Sequence, residues 1–158
     1  MTAAIADHAI VGDCRSAALI SRDGSVDWLC WPQFDSASLF AAILDEDRGG
    51  RFAIAPAGPF RSERGYLGET NVLQTRFFAA SGELTLTDFM PALTRADALR
   101  QLQPGHELIR IARCERGEVE VAILSIRGPI MGGSLRGCGR SASSGFASMP
   151  AAARCSPC

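Results

Sequence analysis

The sequence predicts an all-β fold: an antiparallel β-sandwich with one short helix, followed by a disordered tail. Apolar and polar residues alternate over short segments, which is the pattern of half-buried strands. Turn-forming residues recur between these segments, as expected for a sandwich of about seven short strands. The end of the chain shows neither pattern and is rich in small side chains.

The first predicted element is a β-hairpin over Ala17–Trp31. Asp23-Gly24 is a strong signal for a two-residue hairpin turn, and apolar segments flank it on both sides. Pro32 ends the hairpin because proline has no amide hydrogen to donate to a neighbouring strand. A short amphipathic helix is predicted next, over Ser38–Asp45, with Ser36 as its N-cap.

The remaining strands are predicted from their apolar patterns. They cover Phe52–Ala55, Asn71–Ala79, Glu83–Phe89, Glu107–Glu115 and Glu118–Ile123. The turn Glu115-Arg116-Gly117 joins the last two strands, which predicts a second hairpin. Leu86 and Val119 are expected in the core, and Leu93–Leu102 is predicted to be a loop because Pro91 and Pro104 flank it.

Charge and composition divide the chain into two parts. All 17 acidic residues precede residue 121, whereas Gly128–Cys158 contains many Gly, Ser and Ala residues and no acid. Such a segment buries too little apolar side chain to offset the entropy of ordering it. We therefore expect a β-sandwich domain over residues 1–124 and a disordered segment over residues 125–158. That segment is either a flexible tail or the product of a shifted reading frame, and the abrupt end of the strand pattern near Ala122 favours the second.

The composition excludes several classes of protein. The formal net charge is -1, so no basic excess is present to neutralise a phosphate backbone, and no nucleic-acid partner is expected. The sequence shows no signal peptide and no run of the ~20 apolar residues that a membrane helix needs. These observations predict a cytoplasmic protein with no membrane partner. Cys14 and Cys30 are then expected to be small buried hydrophobes rather than disulfide partners.

The motifs predict no catalytic residue, no metal and no cofactor. Cys155-Ser156-Pro157-Cys158 has the spacing of a zinc-ligand pair, but zinc needs four ligands and a matching second pair is missing from the sequence. Acidic residues cluster between Asp23 and Asp47, where turns and caps account for them. Neither His8 nor His106 has a Ser or Cys nucleophile in a recognisable pattern.

Five segments and one tyrosine carry a resemblance to a known family. They are Ile10–Leu19, Asp23–Ser36, Gly50–Phe52, Tyr66, Thr70–Phe77 and Gly82–Pro91. In this order, they resemble the opening of bacterial glycoside hydrolase family 15 proteins, the glucoamylase- and trehalase-like enzymes, over residues 8–121. The resemblance implies the amino-terminal β-sandwich domain of such a protein, in agreement with the strand pattern.

The resemblance also implies a partner, because family members continue into a catalytic (α/α) barrel. That barrel carries two Glu residues, the general acid and the general base of inverting hydrolysis. No position of this chain corresponds to either Glu, and the resemblance ends after Val121. We therefore expect a non-catalytic fragment, cut off before the barrel and inactive alone. The alternative is a stand-alone carbohydrate-binding or protein-interaction module.

Four residues are candidates for contact with the barrel or with the edge of a glucan or trehalose. They are Arg15, Trp31, Phe34 and Asp35. The turn at Pro32 carries both aromatic residues out of the hairpin, so we expect both to be exposed in the isolated chain. The competing interpretations are a core position for Trp31 and an ion pair between Arg15 and a neighbouring Asp.

Overall fold

The computed structural model describes residues 4–92, 107–128 and 151–155, and these form two antiparallel β-sheets. A 3₁₀ turn at Ile5–Asp7 is followed by β1 (Ala9–Gly12), β2 (Ala17–Ile20), β3 (Ser25–Cys30), β4 (Ser38–Phe40), β5 (Gly50–Pro56), β6 (Phe60–Tyr66), β7 (Leu73–Ala79), β8 (Gly82–Phe89), β9 (Ile109–Gly117), β10 (Val119–Arg127) and β11 (Ala151–Cys155). Sheet A has the order β1-β2-β3-β5-β10-β11, with β4 also paired to β3, and sheet B has the order β6-β7-β8-β9. The predicted all-β fold is confirmed.

The first hairpin is confirmed, as are the strands predicted around residues 52–55, 71–79 and 83–89. β2 and β3 pair with Ala18 opposite Leu29 and Leu19 opposite Trp28. The turn between them uses Gly24 at φ 77°, a left-handed conformation that glycine adopts without a steric penalty. β1, β4 and β6 are additional strands that the sequence pattern did not reveal.

The predicted helix over Ser38–Asp45 is wrong. Its first residues form β4, which pairs with β3, and a turn follows. The amide of Ala41 donates to the carbonyl of Gly49 at 2.7 Å, so it bonds a distant segment instead of the preceding helical turn. No helix within the described ranges has the length and hydropathy needed to cross a membrane.

The predicted second hairpin is also wrong, although both of its strands exist. β9 pairs with β8 in sheet B, whereas β10 pairs with β5 in sheet A. The chain therefore passes from one sheet to the other at Glu118, directly after Gly117 at φ 70°.

The core lies between the sheets in two clusters of buried side chains. The first includes Val11, Ile20, Leu29 and Leu73, and the second includes Ile54, Phe77, Leu84, Leu86 and Val119. Phe52 packs against both clusters and so links them. The predicted core positions of Leu86 and Val119 are confirmed.

Part of the segment predicted to be disordered is described. β10 continues through residue 124 to Arg127, and its last register pair joins Arg127 to Gly50. Farther along, β11 pairs with β10 at the edge of sheet A. Residues 129–150 and 156–158 lie outside the described residues, as does the predicted loop over Leu93–Leu102, and the predicted domain boundary at residue 124 stays a prediction.

Candidate functional site

The loop that follows β3 contains three of the four candidate residues. The Trp31–Pro32 peptide bond is cis, and the amide of Trp31 donates to the carbonyl of Ala37 at 3.4 Å. Within this 31–37 loop, the amide of Gln33 donates to Ser36 Oγ at 3.1 Å. The Ser36 hydroxyl therefore caps a turn of the loop and not a helix.

The fourth candidate lies in a tight turn between β1 and β2. Asp13 Oδ1 accepts hydrogen bonds from the amides of Arg15, at 2.9 Å, and Ser16, at 2.8 Å. Cys14 sits inside this turn at φ 67° and is exposed, so its predicted burial is wrong. Cys30 is buried as predicted, and burial raises the pKa of its thiol.

Two hydrogen bonds hold this turn against the end of β3 and the 31–37 loop. The amide of Phe34 donates to the carbonyl of Arg15 at 2.9 Å, and Ser16 Oγ donates to the carbonyl of Cys30. The structure thus brings the backbones of Arg15 and Phe34 together, although 19 positions separate them in the sequence. The bond between Phe34 and Arg15 uses backbone atoms alone, which explains why no sequence motif indicates this contact.

The four candidates differ in their exposure. The Phe34 side chain is 62% exposed, and Arg15 and Asp35 are exposed as well. Trp31 is only partly exposed and packs against the first core cluster, so the expectation of two exposed aromatic rings holds for Phe34 alone. A solvent-facing ring with a cation and a carboxylate on the same pair of loops is able to contact either a sugar or another protein surface.

A buried ion pair that the sequence analysis missed lies within sheet B, and its arginine also bonds sheet A. Arg110 Nε lies 2.7 Å from Asp88 Oδ1, and the two side chains are 2% and 0% exposed. Arg110 also donates to the carbonyls of Phe52 and Gly24, each at 2.7 Å, and its guanidinium lies 4.8 Å from the centre of the Phe52 ring. A side chain of sheet B thereby bonds the backbone of sheet A.

The environment of Asp88 suits a structural role. Burial raises the pKa of its carboxyl, and the hydrogen bond and charge of Arg110 act in the opposite direction. A signal for this role was present in the sequence, because Asp88 follows Leu84 and Leu86 on the inward face of an alternating strand. A charged residue at such a position needs a buried partner.

His8 belongs to a second polar cluster, built around Asp27. His8 Nε2 lies 3.1 Å from Asp27 Oδ2, and Ser25 Oγ donates to Asp27 Oδ1 at 2.6 Å. His8 Nδ1 lies 3.0 Å from the carbonyl of Ala4. The carboxylate stands between the imidazole and the hydroxyl, whereas a serine nucleophile needs its hydroxyl bonded to the imidazole. This cluster therefore does not form a catalytic triad; His106 lies outside the described residues.

The described residues contain no group of three or more His, Cys, Asp or Glu side chains placed to hold a metal ion. Cys14 and Cys30 are free thiols. Cys155 is the last residue of β11, and Cys158 falls outside the described ranges, so the terminal Cys pair stays untested.

Comparison with known proteins gives a consistent match over most of the chain. The family model "Trehalase-like, N-terminal" matches residues 1–130, a longer stretch than the resemblance quoted from motifs. A trehalase of Mycolicibacterium smegmatis is 35% identical over 130 residues, which cover 75% of this chain and 19% of the relative.

Archaeal relatives match over shorter segments. A trehalase of Thermoplasma volcanium is 42% identical over 88 residues, covering 53% of this chain and 14% of the relative. "Trehalase 2" of Sulfolobus acidocaldarius is 38% identical over 85 residues, which cover 54% of this chain and 14% of the relative. The chain thus spans less than a fifth of the length of these relatives. No solved structure gives a significant match.

Proposed function

Because the chain belongs to the trehalase-like N-terminal domain family, we propose that it is the non-catalytic β-sandwich of a trehalase-like hydrolase of glycoside hydrolase family 15. In this role it supports a separate catalytic domain and hydrolyses no glycoside by itself. The observation that carries the proposal is the match to the N-terminal model, together with coverage of only 19% of a trehalase.

Four carboxylates in the described part of the chain take part in structural contacts, which supports the absence of catalysis. Inverting hydrolysis needs two carboxyl groups roughly 6.5–9.5 Å apart, with a water between them and an open face for the sugar. Asp88 is instead bonded to Arg110 inside the core, and Asp27 is bonded to His8 and Ser25. Asp13 and Asp45 accept hydrogen bonds from the backbone of their own turns.

We assign Arg15, Trp31, Phe34 and Asp35 to the edge of the sandwich that meets the catalytic domain or the outer part of a bound sugar. The support is the exposure of Phe34, Arg15 and Asp35 and the hydrogen bond that joins their two loops. Trp31 acts in this proposal as the anchor, because its packing against the core fixes the start of the 31–37 loop.

The exposed Phe34 ring also favours a second candidate function, a stand-alone carbohydrate-binding module. Aromatic faces and charged hydrogen-bonding groups are common to sugar-binding sites and protein interfaces. Titration with trehalose and with maltooligosaccharides separates the two, because only the second candidate predicts saturable binding that Phe34→Ala removes.

Glucose release from trehalose and from maltooligosaccharides tests the main proposal, with M. smegmatis trehalase as the positive control. We expect the purified 158-residue chain to release no glucose above a buffer blank. Release that persists through purification and disappears in Asp35→Asn or Asp27→Asn would overturn the proposal.

We propose the cytoplasm as the compartment of this protein. Cys14 and Cys30 are free thiols, and Cys14 is exposed, which suits a reducing environment.

A further inference from the structure

We propose that the side chains of Arg64, Tyr66 and Asn71 close the edge of β1 and so prevent this strand from pairing with a second copy of the chain. We call these three side chains the β1 cover. Arg64 and Tyr66 belong to β6, and Asn71 lies in the connection between β6 and β7. The cover contains none of the four candidate residues, so it is separate from the proposed function.

β1 is an edge strand, because it lies at one end of sheet A. Its four residues pair with β2 on one side, and within the described ranges no strand pairs with the other side. The amides and carbonyls along the open side of an edge strand are able to pair with a strand of another molecule. Proteins that bind by strand addition use such an edge.

Two side chains of the cover bond the backbone of β1 directly. The amide of Ile10 donates to Tyr66 Oη at 3.0 Å, and the same hydroxyl donates to the carbonyl of Ile10 at 2.8 Å. Asn71 Nδ2 donates to the carbonyl of Gly12 at 2.6 Å. One hydroxyl therefore satisfies both backbone groups of Ile10, and an amide satisfies the carbonyl two residues later.

These backbone groups are the ones that an incoming strand needs. In an antiparallel strand, successive residues direct their backbone groups to opposite sides. The groups of Val11 therefore face β2, whereas those of Ile10 and Gly12 face the open edge, where Tyr66 and Asn71 bond them. A strand of another molecule cannot form these bonds while the two side chains stay in place.

Arg64 extends the cover to the beginning of the strand. Its guanidinium donates to the carbonyl of Asp7, which precedes β1, at 2.6 Å. It also donates to the carbonyl of Ile20 in β2 at 2.9 Å. Because Ile20 pairs with Ala9, Arg64 crosses the end of the β1–β2 pair. The cover thus spans the edge from Asp7 to Gly12.

The residue types of β1 leave it without the usual protection of an edge. The strand reads Ala9-Ile10-Val11-Gly12, with no charge and no proline, and Ile10 is 53% exposed. The two edge strands of sheet B differ, since β6 contains three charged residues and β9 contains four. Charged side chains and proline discourage pairing between edges. In β1, the bonded side chains of the cover take over that task.

A second copy of the chain is the partner that an open β1 edge fits. Antiparallel pairing of one strand with its own copy has two-fold symmetry, which is the commonest symmetry of homodimers. β1 has no charges that would repel each other across the axis. The exposed Ile10 adds apolar surface that pairing removes from water.

Removal of the two bonding groups tests the proposal by analytical ultracentrifugation of the 158-residue chain. We expect Tyr66→Phe combined with Asn71→Ala to lower the dissociation constant of the dimer by roughly tenfold or more. Tyr66→Phe alone deletes one oxygen atom and should give a smaller shift in the same direction. Glu69→Ala is the matched control, because it changes an exposed side chain in the same connection and should cause no shift.

Amide hydrogen exchange identifies the strand that pairs. At low protein concentration, Tyr66→Phe should accelerate exchange of the Ile10 amide severalfold, because its hydrogen-bond acceptor is gone. The Val11 amide faces β2 and should keep its protection. At high concentration, the Ile10 amide of the double variant should regain protection, since it then bonds the second copy.

Ile10→Lys distinguishes edge pairing from a general loss of stability. Added to the double variant, it places like charges across the dimer axis and should restore the monomer. If the double variant does not fold, Tyr66→Phe with and without Ile10→Lys provides the same comparison.

Four results would overturn the proposal. They are a double variant as monomeric as wild type, a dimer that Ile10→Lys does not disperse, an equal shift in Glu69→Ala, and a wild-type dimer that Ile10→Lys disperses. The last would show that β1 pairs in spite of its cover. None of these measurements depends on glucose release, so the proposed function stands or fails separately.

Discussion

The Asp88 side chain lies where water cannot solvate its charge, because it is fully buried between the two sheets. Arg110 supplies the compensating charge and uses its other donors on the carbonyls of Phe52 and Gly24. Exposed ion pairs usually contribute little to the free energy of unfolding. Removing one partner of a buried pair, however, leaves an isolated charge in the core. The stability of this sandwich should therefore be sensitive to Arg110.

We expect Arg110→Met to destabilise the chain by about 3–5 kcal/mol at neutral pH and by less in acid. Arg110 opposes the effect of burial on Asp88, so its removal raises the pKa of that carboxyl further above its already raised value. When burial raises the pKa of a carboxyl in the folded state, the fold keeps its full stability below the unfolded-state pKa of about 3.9. It loses stability as the pH rises through the folded-state pKa. The difference between wild type and variant should thus be smallest near the unfolded value of about 3.9 and should grow as the pH rises towards neutrality.

Urea unfolding at a series of pH values measures that difference. Arg110→Lys is the matched control, because it keeps the positive charge and should show a weaker dependence on pH. A difference between wild type and Arg110→Met that stays constant over this range would show that Arg110 acts only through its bonds to Phe52 and Gly24.

At the scale of elements, the connection between β9 and β10 decides how the two sheets are joined. Gly117 ends β9 at φ 70°, and a Cβ atom at this position would overlap the carbonyl oxygen of Ser81. That same carbonyl accepts the amide of Glu118 at 3.1 Å. The chain therefore turns away from sheet B at a point where it lies against the β7–β8 turn.

We expect Gly117→Ala to destabilise the chain clearly more than Gly68→Ala. Both glycines have positive φ, so both substitutions carry the cost of about 1–2 kcal/mol for an L-residue in the left-handed region. Gly68 has open space where its Cβ would lie, whereas Gly117 faces backbone. Thermal unfolding compares the two variants, and equal losses would show that the turn relaxes away from Ser81.

Local patterns in the sequence were sufficient for the strands but not for their partners. Apolar residues located β7, and alternation located β8, because one face of each strand lies on the core. The Glu115-Arg116-Gly117 turn was predicted to join a hairpin. Turn residues indicate where the chain changes direction, but they do not specify which strands pair with each other. The inward position of Asp88 indicated that it needs a buried partner, but that partner, Arg110, lies 22 positions away and no local pattern identifies it. The contact of Arg15 with Phe34 uses backbone atoms, so it left no local signal.

At the scale of the whole molecule, the two core clusters are shared between the sheets. Leu73 of sheet B packs in the first cluster with residues of β1–β3, and Ile54 of sheet A packs in the second with residues of β7–β9. Phe52 packs against both clusters. Separation of the two sheets would therefore expose side chains of both clusters, so the sandwich is expected to unfold as one cooperative unit.

We expect Leu86→Ala to lower the free energy of unfolding by about 2–4 kcal/mol, because the truncated side chain leaves a cavity in the second cluster. Trp28 lies in β3, and Trp31 follows β3 directly and packs against the first cluster. If the sandwich unfolds as one unit, tryptophan fluorescence and far-ultraviolet circular dichroism must shift together in this variant. Phe34→Ser, on an exposed ring, is the control and should change stability by no more than about 0.5 kcal/mol. A circular dichroism transition that shifts while the fluorescence transition stays in place would instead mean that the two clusters unfold independently.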